Sequence, residues 1–449
     1  MRKLSVILSL LICVFFAQTL PAQVKVAPLN IKQRTLANGM KVVSVQDNSS
    51  PTVSIHVWYD VGGKNDPPGR SGFAHMFEHM MFKSTKNMPN EKMDRLTEDV
   101  GGFNNASTWD DFTNYYEVVP SNHLERLLWA EAERMQNLNV DDANFSSERE
   151  VVKEEFRQGV LAQPYGRLYE YISSLSYQQH PYKRGVIGNL DELDAATRQD
   201  AEEFYKTFYR PDNAYLIVVG DFDQKQFDEW VDKYFGSIKR PEGEIPRVTV
   251  TEPDWTEERR YMETGPIVPF PATVITYLAP PSKDADVPAL RLAEMILSGG
   301  ESSRLYQEMV RNRQIAQEAA FSADIRVDRG LLYFFGIASE GHTSEELEKA
   351  FLAELKKMQD APVSAKELEK AKNQLIARTL RSRETNDGKA IAIERAVAYL
   401  GDPTAVNRDI EQLQKVTPAD IQRVMKKYFG ENNRVVIYYR QAEGEEDSK

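Results

Sequence analysis

Cysteine is all but missing from this chain. Its one copy, Cys13, lies in an apolar run near the start, so the remainder carries no thiol. That excludes disulfide staples, thiolate metal ligands and a cysteine nucleophile, and leaves stability to buried cores. An excess of positive charge is missing too. Lys and Arg number 56 against 68 Asp and Glu, a formal charge of −12, which argues against nucleic acid or an anionic membrane as partner. No G-x-S-x-G segment occurs, which excludes the elbow of a serine hydrolase. Apart from the first, no apolar run approaches the roughly 20 residues that span a bilayer. Histidine is scarce, with six copies in 449 residues, so its placement is informative.

The opening run has the layout of an export signal. Arg2 and Lys3 precede the apolar residues 4–17, LPAQ follows, and Ala22 is expected before the cut. The protein is therefore expected in the periplasm of a Gram-negative-type cell, or secreted, with no membrane span after signal removal. About 425 residues remain, 41% hydrophobic and 28% charged over the whole chain, which suits a soluble protein of two to three domains.

Two histidines, His75 and His79, fall within RSGFAHMFEHMMFKST, residues 70–85. Four apart on a helix, they share one face, and Glu78 sits beside them. Two imidazoles at that spacing bind one metal ion, and the glutamate reaches a water there as general base. Composition alone would produce about 0.01 such H-x-x-E-H matches in a chain of this length. Strands are expected around this helix. Residues 32–37 and 40–46 flank Asn38-Gly39, a hairpin signal. Val53, Ile55, Val57 and Tyr59 alternate along a third strand, and residues 113–119 form another. Leu124, Leu127, Leu128 and Met135 then restore helical periodicity.

A catalytic metal of this type takes three protein ligands and leaves one position for water. Ser147 and Glu150 are expected to form a capping box that opens a helix through SEREVVKEEFRQ. Seven residues apart on it, Glu148 and Glu155 share a face with Val151 and Val152, while Lys153 and Glu154 point elsewhere. Glu155 is the expected third ligand and Glu148 a carboxylate that steadies the ligands from behind. Two imidazoles and a carboxylate suit Zn2+, one per chain, better than the hard-oxygen metals.

HMFEH, followed 76 residues after His79 by the last glutamate of EREVVKEE, resembles the pitrilysin or insulinase-type metallopeptidases, the inverzincins. The resemblance covers nearly the whole chain after the signal and is nearest to short bacterial processing-peptidase-like members. It implies that His75, His79 and Glu155 hold zinc, that Glu78 is the catalytic base and that Glu148 supports them. Asn105, Ala106, Ser107 and Thr108 match the edge strand on which that family lays its substrate backbone.

The chain also repeats itself. ATRQDAEEFYKTFYRPDNAYLIVVG from Ala196 and VTPADIQRVMKKYFGENNRVVIYY from Val416 align at an offset of 220. Thr197 and Thr417 both read as N-caps, and the same offset carries residues 53–59 to 273–279. In the second copy His75, Glu78 and His79 become Met295, Ser298 and Gly299, so it binds no metal that way. It offers SGGESSRLYQEMV from Ser298, expected to open a helix bearing Arg304, and then FSADIRVDRGLLYFFGI. The family's second half supplies an Arg and a Tyr seven apart facing the substrate carbonyl. The resemblance assigns those roles to Arg326 and Tyr333, with Arg329 able to exchange with Arg326. Of the other histidines, His180 reads as a substrate contact or a solvated loop residue and His56 as a core or edge residue. His123 and His342 carry no expectation.

The expected fold is α+β: two duplicated α/β units with antiparallel-rich sheets and helices on one face, one half of a clamshell. The expected division is a signal at 1–22, a metal-binding domain at 23–238, a linker at 239–257, a metal-free duplicate at 258–443 and an acidic tail at 444–449. The expected function is zinc-dependent hydrolysis of peptides or small unfolded polypeptides in an enclosed chamber. By the resemblance, the chain works as a homodimer or as a heterodimer with a paralogous subunit. The alternative is a non-catalytic scaffold or peptide-binding subunit of such a heterodimer.

Overall fold

The computed structural model describes residues 26–442; the expected export signal and acidic tail lie outside them. Six strands form the first sheet: β1 (Lys32–Thr35), β2 (Lys41–Gln46), β3 (Thr52–Tyr59), β4 (Phe103–Thr108), β5 (Thr113–Pro120) and β6 (Ala214–Gly220). Their order is β1-β2-β6-β3-β5-β4, which leaves β4 at an open edge. Only β2 and β6 pair in parallel. The first hairpin closes at its Asn-Gly signal: beyond Thr35↔Lys41 the Leu36 N–H donates to the Met40 carbonyl at 2.8 Å and the Gly39 N–H to the Leu36 carbonyl at 2.9 Å. The Asn38 amide donates to the carbonyls of Phe235 and Ile238 at 2.8 and 2.9 Å, tying the loop to the chain behind it.

The helices of eight residues or more in this half are α1 (Phe73–Met80), α2 (Leu124–Asn137), α3 (Asp142–Phe156), α4 (Gly166–Ser176), α5 (Arg198–Phe208) and α6 (Gln224–Tyr234). The second half repeats the plan with β7 (Arg259–Gly265), β8 (Ala272–Leu278), β9 (Ala316–Asp324), β10 (Leu331–Ala338) and β11 (Arg434–Gln441), ordered β7-β11-β8-β10-β9. Its helices of that length are α7 (Val287–Ser298), α8 (Ser344–Asp360), α9 (Ala365–Ser382), α10 (Asn386–Leu400) and α11 (Pro418–Tyr428). The duplication is visible in the elements. α5 and α11 keep the offset of 220, and Thr197 and Thr417 close matching capping boxes with Asp200 and Asp420. Between β5 and β10 the offset slips by two residues, Thr113 standing against Leu331.

Each half covers one face of its sheet with its own helices. Val53, Ile55, Val57 and Tyr59 meet apolar residues of α1, α2, α5 and α6 in one core, and Ile275 and Tyr277 meet α7, α8 and α11 in another. The opposite face of each sheet takes a helix from the other half. Leu168 and Ile172 of α4 pack on Ala272, Val274, Leu331, Phe335 and Ile437. Ala390, Ile393 and Val397 of α10 pack on Val43, Val45, Trp58, Ile217 and Val219. The two exchanged helices begin 220 residues apart, so the exchange is itself duplicated. It explains why β3 and β8 are buried on both faces instead of alternating in exposure. No helix among the described residues is long and apolar enough to cross a membrane.

One polar cluster lies in the seam under α10. His56, wholly buried on β3, meets Glu394 at 2.6 Å and Asp387 at 3.3 Å, and Ser54 and Asn114 bond the same carboxylates. Burial pulls the imidazole's pKa down, but the bonds to Asp387 and Glu394 more than reverse this and hold it near 9, against 6.5 for an exposed histidine. The cluster therefore adds stability that is complete below about pH 6.5 and is lost as pH rises through about 9. In urea unfolding, the stability gap between wild type and His56→Asn is expected to narrow on the order of 2–3 kcal/mol across that window. A gap that does not change with pH would refute the charged pairing.

Candidate metal centre

The helix α1 sorts its eight residues cleanly. Phe73, Ala74, Met76, Phe77 and Met80 are buried, stacking on Phe204, Tyr205 and Tyr209, while His75, Glu78 and His79 stay half-buried on the opposite face. The helix carrying the partner glutamates starts earlier than the Ser147–Glu150 box implies. Asp141 is its cap, accepting from the Asn144 amide at 2.8 Å, which puts Ser147 inside the second turn. Two capping signals compete in this stretch, and the upstream one closes over an additional turn bearing the buried Phe145. The face toward α1 is Glu148, Val152 and Glu155. Val151, expected there as well, is exposed, and Val152 alone takes the buried apolar place between the two acids.

His75, His79 and Glu155 form the one group among the described residues with three ligand atoms converging, all within 4.8 Å of one another. Glu155 Oε2 stands 3.6 Å from His75 Nε2 and 3.5 Å from His79 Nε2. Those gaps are too long for direct hydrogen bonds. They fit a tetrahedral ion with bonds of about 2.0–2.2 Å, whose ligand atoms stand roughly 3.3–3.5 Å apart. The donor set therefore fits zinc. The two imidazoles meet edge to face, centroids 4.9 Å apart, and both present Nε2 to the same Glu155 oxygen.

Glu148 backs the set. Its carboxylate lies 3.7 Å from His79 Nδ1, accepts from Lys83 Nζ at 2.6 Å and from Ser147 Oγ at 3.0 Å. Burial would raise its pKa, but His79, Lys83 and Ser147 hold it below the usual range, so it stays ionised. Burial and the neighbouring His79 depress His75 to about 4, which keeps the ring neutral as a ligand must be. For His79 burial acts downward, and the neighbouring Glu148, Glu155 and Glu78 carboxylates bring a net rise. Glu78 is raised mainly by burial, while bonds from Thr108 oppose the rise. A cleft of about 370 Å³ opens beside Glu78 and His79, walled by Phe82, Lys83, Asn105 and Glu148.

The other expected residues gather around this cleft or beyond it. Asn105, Ala106, Ser107 and Thr108 lie on the edge strand β4, with Asn105 exposed in the cleft and Ala106 buried beneath. Past β4, Arg326 reaches the turn that follows, pairing with Asp110 at 2.9 Å and Asp324 at 2.8 Å and lying over the Tyr182 ring. Arg329 instead pairs with Asp254 on an exposed flank. Tyr333, on β10 opposite Ser322, is half-buried near Arg326 and Asp324. Arg304, just before the π-helical turn Tyr306–Asn312, is held bidentately by Glu367. His180 is neither solvated nor placed for substrate, being buried against Tyr182 with ring centroids 4.0 Å apart. At the duplicated positions Met295 packs on the second core, Ser298 ends α7 and Gly299 caps it. Sequence reasoning missed Lys83, although its place one turn after His79 was a usable signal, and missed Asp110, which carried none.

Comparison with known proteins follows this geometry. Residues 41–189 match the family described as Insulinase (Peptidase family M16), and residues 195–375 match the Peptidase M16 inactive domain. The chain is 31% identical to the zinc protease PqqE of Helicobacter pylori over 416 residues, 90% of this chain and 92% of that protein. The crystal structure of a protease from Helicobacter pylori superposes with a TM-score of 0.88 at 30% identity, covering 92% of this chain and 99% of that one. The periplasmic protease PqqL of Escherichia coli shares the fold at a TM-score of 0.75 and 18% identity, over 93% of this chain and 48% of that one.

The geometry separates two adjacent acids. Glu154 is turned to solvent and bonded to Arg157 and Gln158, whereas Glu155 faces the imidazoles. Calorimetric titration with a divalent metal should find Glu154→Gln like wild type. Glu155→Gln should lose more affinity than the roughly 10–100-fold typical of losing an orienting partner. The reverse pattern would refute this reading of α3.

Proposed function

Because the chain belongs to the insulinase family of peptidases, M16, we propose that it is a zinc-dependent endopeptidase for peptides or small unfolded polypeptides. The observation that carries the proposal is the convergence of His75, His79 and Glu155 with Glu78 alongside and a cleft in front. One zinc ion held by those three residues would act as a Lewis acid toward a water and the scissile carbonyl. Glu78 takes the proton from the attacking water and returns it to the leaving amine. Its raised pKa suits both steps. Glu148 and Lys83 keep the His79 ring oriented throughout.

The substrate backbone adds as a strand along Asn105, Ala106, Ser107 and Thr108, held by main-chain hydrogen bonds, so sequence preference is loose. Arg326 and Tyr333 donate to the developing oxyanion. The metal set belongs to residues 23–238, the Arg and Tyr to residues 258–443, and residues 239–257 join the two. A second subunit, identical or paralogous, closes the chamber over the cleft. The expected export signal places the work in the periplasm or outside the cell, and the Escherichia coli protein of the same fold is a periplasmic protease.

Incubation with a mixed peptide digest, read by mass spectrometry, tests the activity: cuts should appear and should vanish with a chelator. Zinc content distinguishes the peptidase from a metal-free scaffold. Glu78→Gln should keep its zinc and lose about 10²–10⁴-fold in cleavage; near-normal cleavage would sink the assignment of the base. Tyr333→Phe should lower turnover roughly 10²–10³-fold with little change in KM or zinc content. A silent Tyr333→Phe would leave the tyrosine a packing residue.

A further inference from the structure

The helix that bears His75, Glu78 and His79 is only two turns long, and by itself a helix of that length is not stable in water. Something must hold its first turn, where backbone N–H groups have no partners within the helix. The usual solution, a side chain on the N-cap residue, is closed off here. That residue is Gly72, in the left-handed region at φ 88, and a Cβ there would stand 2.7 Å from the Ile187 carbonyl oxygen. Gly188 faces it just as tightly, since its own Cβ would stand 2.6 Å from Gly72 Cα.

A carboxylate from upstream fills the gap. Asp66 is 3% exposed, at the end of the turn Gly63–Asn65, and its two oxygens accept from different amides. Oδ2 takes the Gly72 N–H at 2.7 Å and Oδ1 the Ala74 N–H at 2.8 Å. When the carboxyl is ionised both bonds are charge-assisted, and a negative charge at a helix N-terminus is favourable. Burial lifts the Asp66 carboxyl to about 7, and the Ala74 and Gly72 amides and the Arg184 guanidinium pull against it. The second bond fixes the residue directly before His75, so it sets the rotation at which both histidines and Glu78 leave the helix.

We propose that Asp66 is a positioning residue of the metal centre, a remote cap that fixes the rotation and first turn of the ligand helix. The role rests on the peptidase reading of that helix. Three variants test it: Asp66→Ala, Asp66→Asn, which keeps one acceptor, and Asp223→Ala as control. Asp223 caps α6 in the ordinary way, accepting from Gln226, well apart from the metal residues in the chain. The readouts are amide exchange of residues 73–76 in metal-free protein, zinc affinity, and kcat and KM on a peptide that wild type cleaves.

Asp66→Ala should speed exchange in that turn, weaken zinc about 10-fold and lower kcat about 10-fold with KM within about two-fold. Asp66→Asn should recover part of each loss. Asp223→Ala should lower thermal stability and change none of the three. If Asp66→Ala does not fold, Asp66→Asn decides by the same measurements. Asp66 variants that behave like Asp223→Ala overturn the role while leaving the peptidase reading intact. A wild type that neither binds zinc nor cleaves peptides overturns that reading, and this role with it.

Discussion

The exchange of α4 and α10 between the halves is the contact on which the rest of the molecule depends. A sheet with helices on one face only would leave Val43, Val45, Trp58, Ile217 and Val219 in water on the other. The borrowed helix covers them, and its twin does the same for the second sheet. With both faces buried, each central strand is fixed in register and tilt. The two halves are thereby held as one body, which carries Arg326 to the turn after the edge strand of the opposite half.

Within that frame the metal centre is made by subtraction. Five of the eight residues of α1 are apolar and take the buried face, leaving three polar side chains pointing the other way. Those three are the two imidazoles of the candidate metal site and the carboxylate beside them. Their neighbour α3 then needs to offer only one acid outward, Glu155, and one inward, Glu148. The inner acid sits beside a lysine that neutralises it, and the outer one is left half exposed toward the two imidazoles. The difference in environment, not in residue type, separates the two acids.

How much of this was legible in the sequence depends on range. Local periodicity exposed the histidine helix, and matched capping pairs and strands exposed the 220-residue repeat, because these are short-range signals; the edge strand came only from the family resemblance. That Glu155 meets the two histidines was readable from a seven-residue spacing. The start of its helix was not, since Ser147–Glu150 and Asp141–Asn144 both look like caps and only the burial of Phe145 chooses between them. The exchange of α4 and α10 was not readable either, since an apolar stripe shows that a helix face is buried but not against which sheet. His180 was misjudged for the same reason: its burial depends on Tyr177 and Tyr182 closing around it. Asp66 lay nine residues before the first ligand with no motif to mark it.

The exchanged helices also bear on ancestry. A single ancestral unit, folded alone, would have had a bare sheet face and a helix with nothing beneath it. Two such units trading helices would have satisfied both at once, as a swapped dimer. The present chain has the connectivity such a dimer would have with its subunits joined end to end, and the two copies differ in that one carries His75 and His79 where the other carries Met295 and Gly299. The covalent join is then a tether added to an association that packing already enforces.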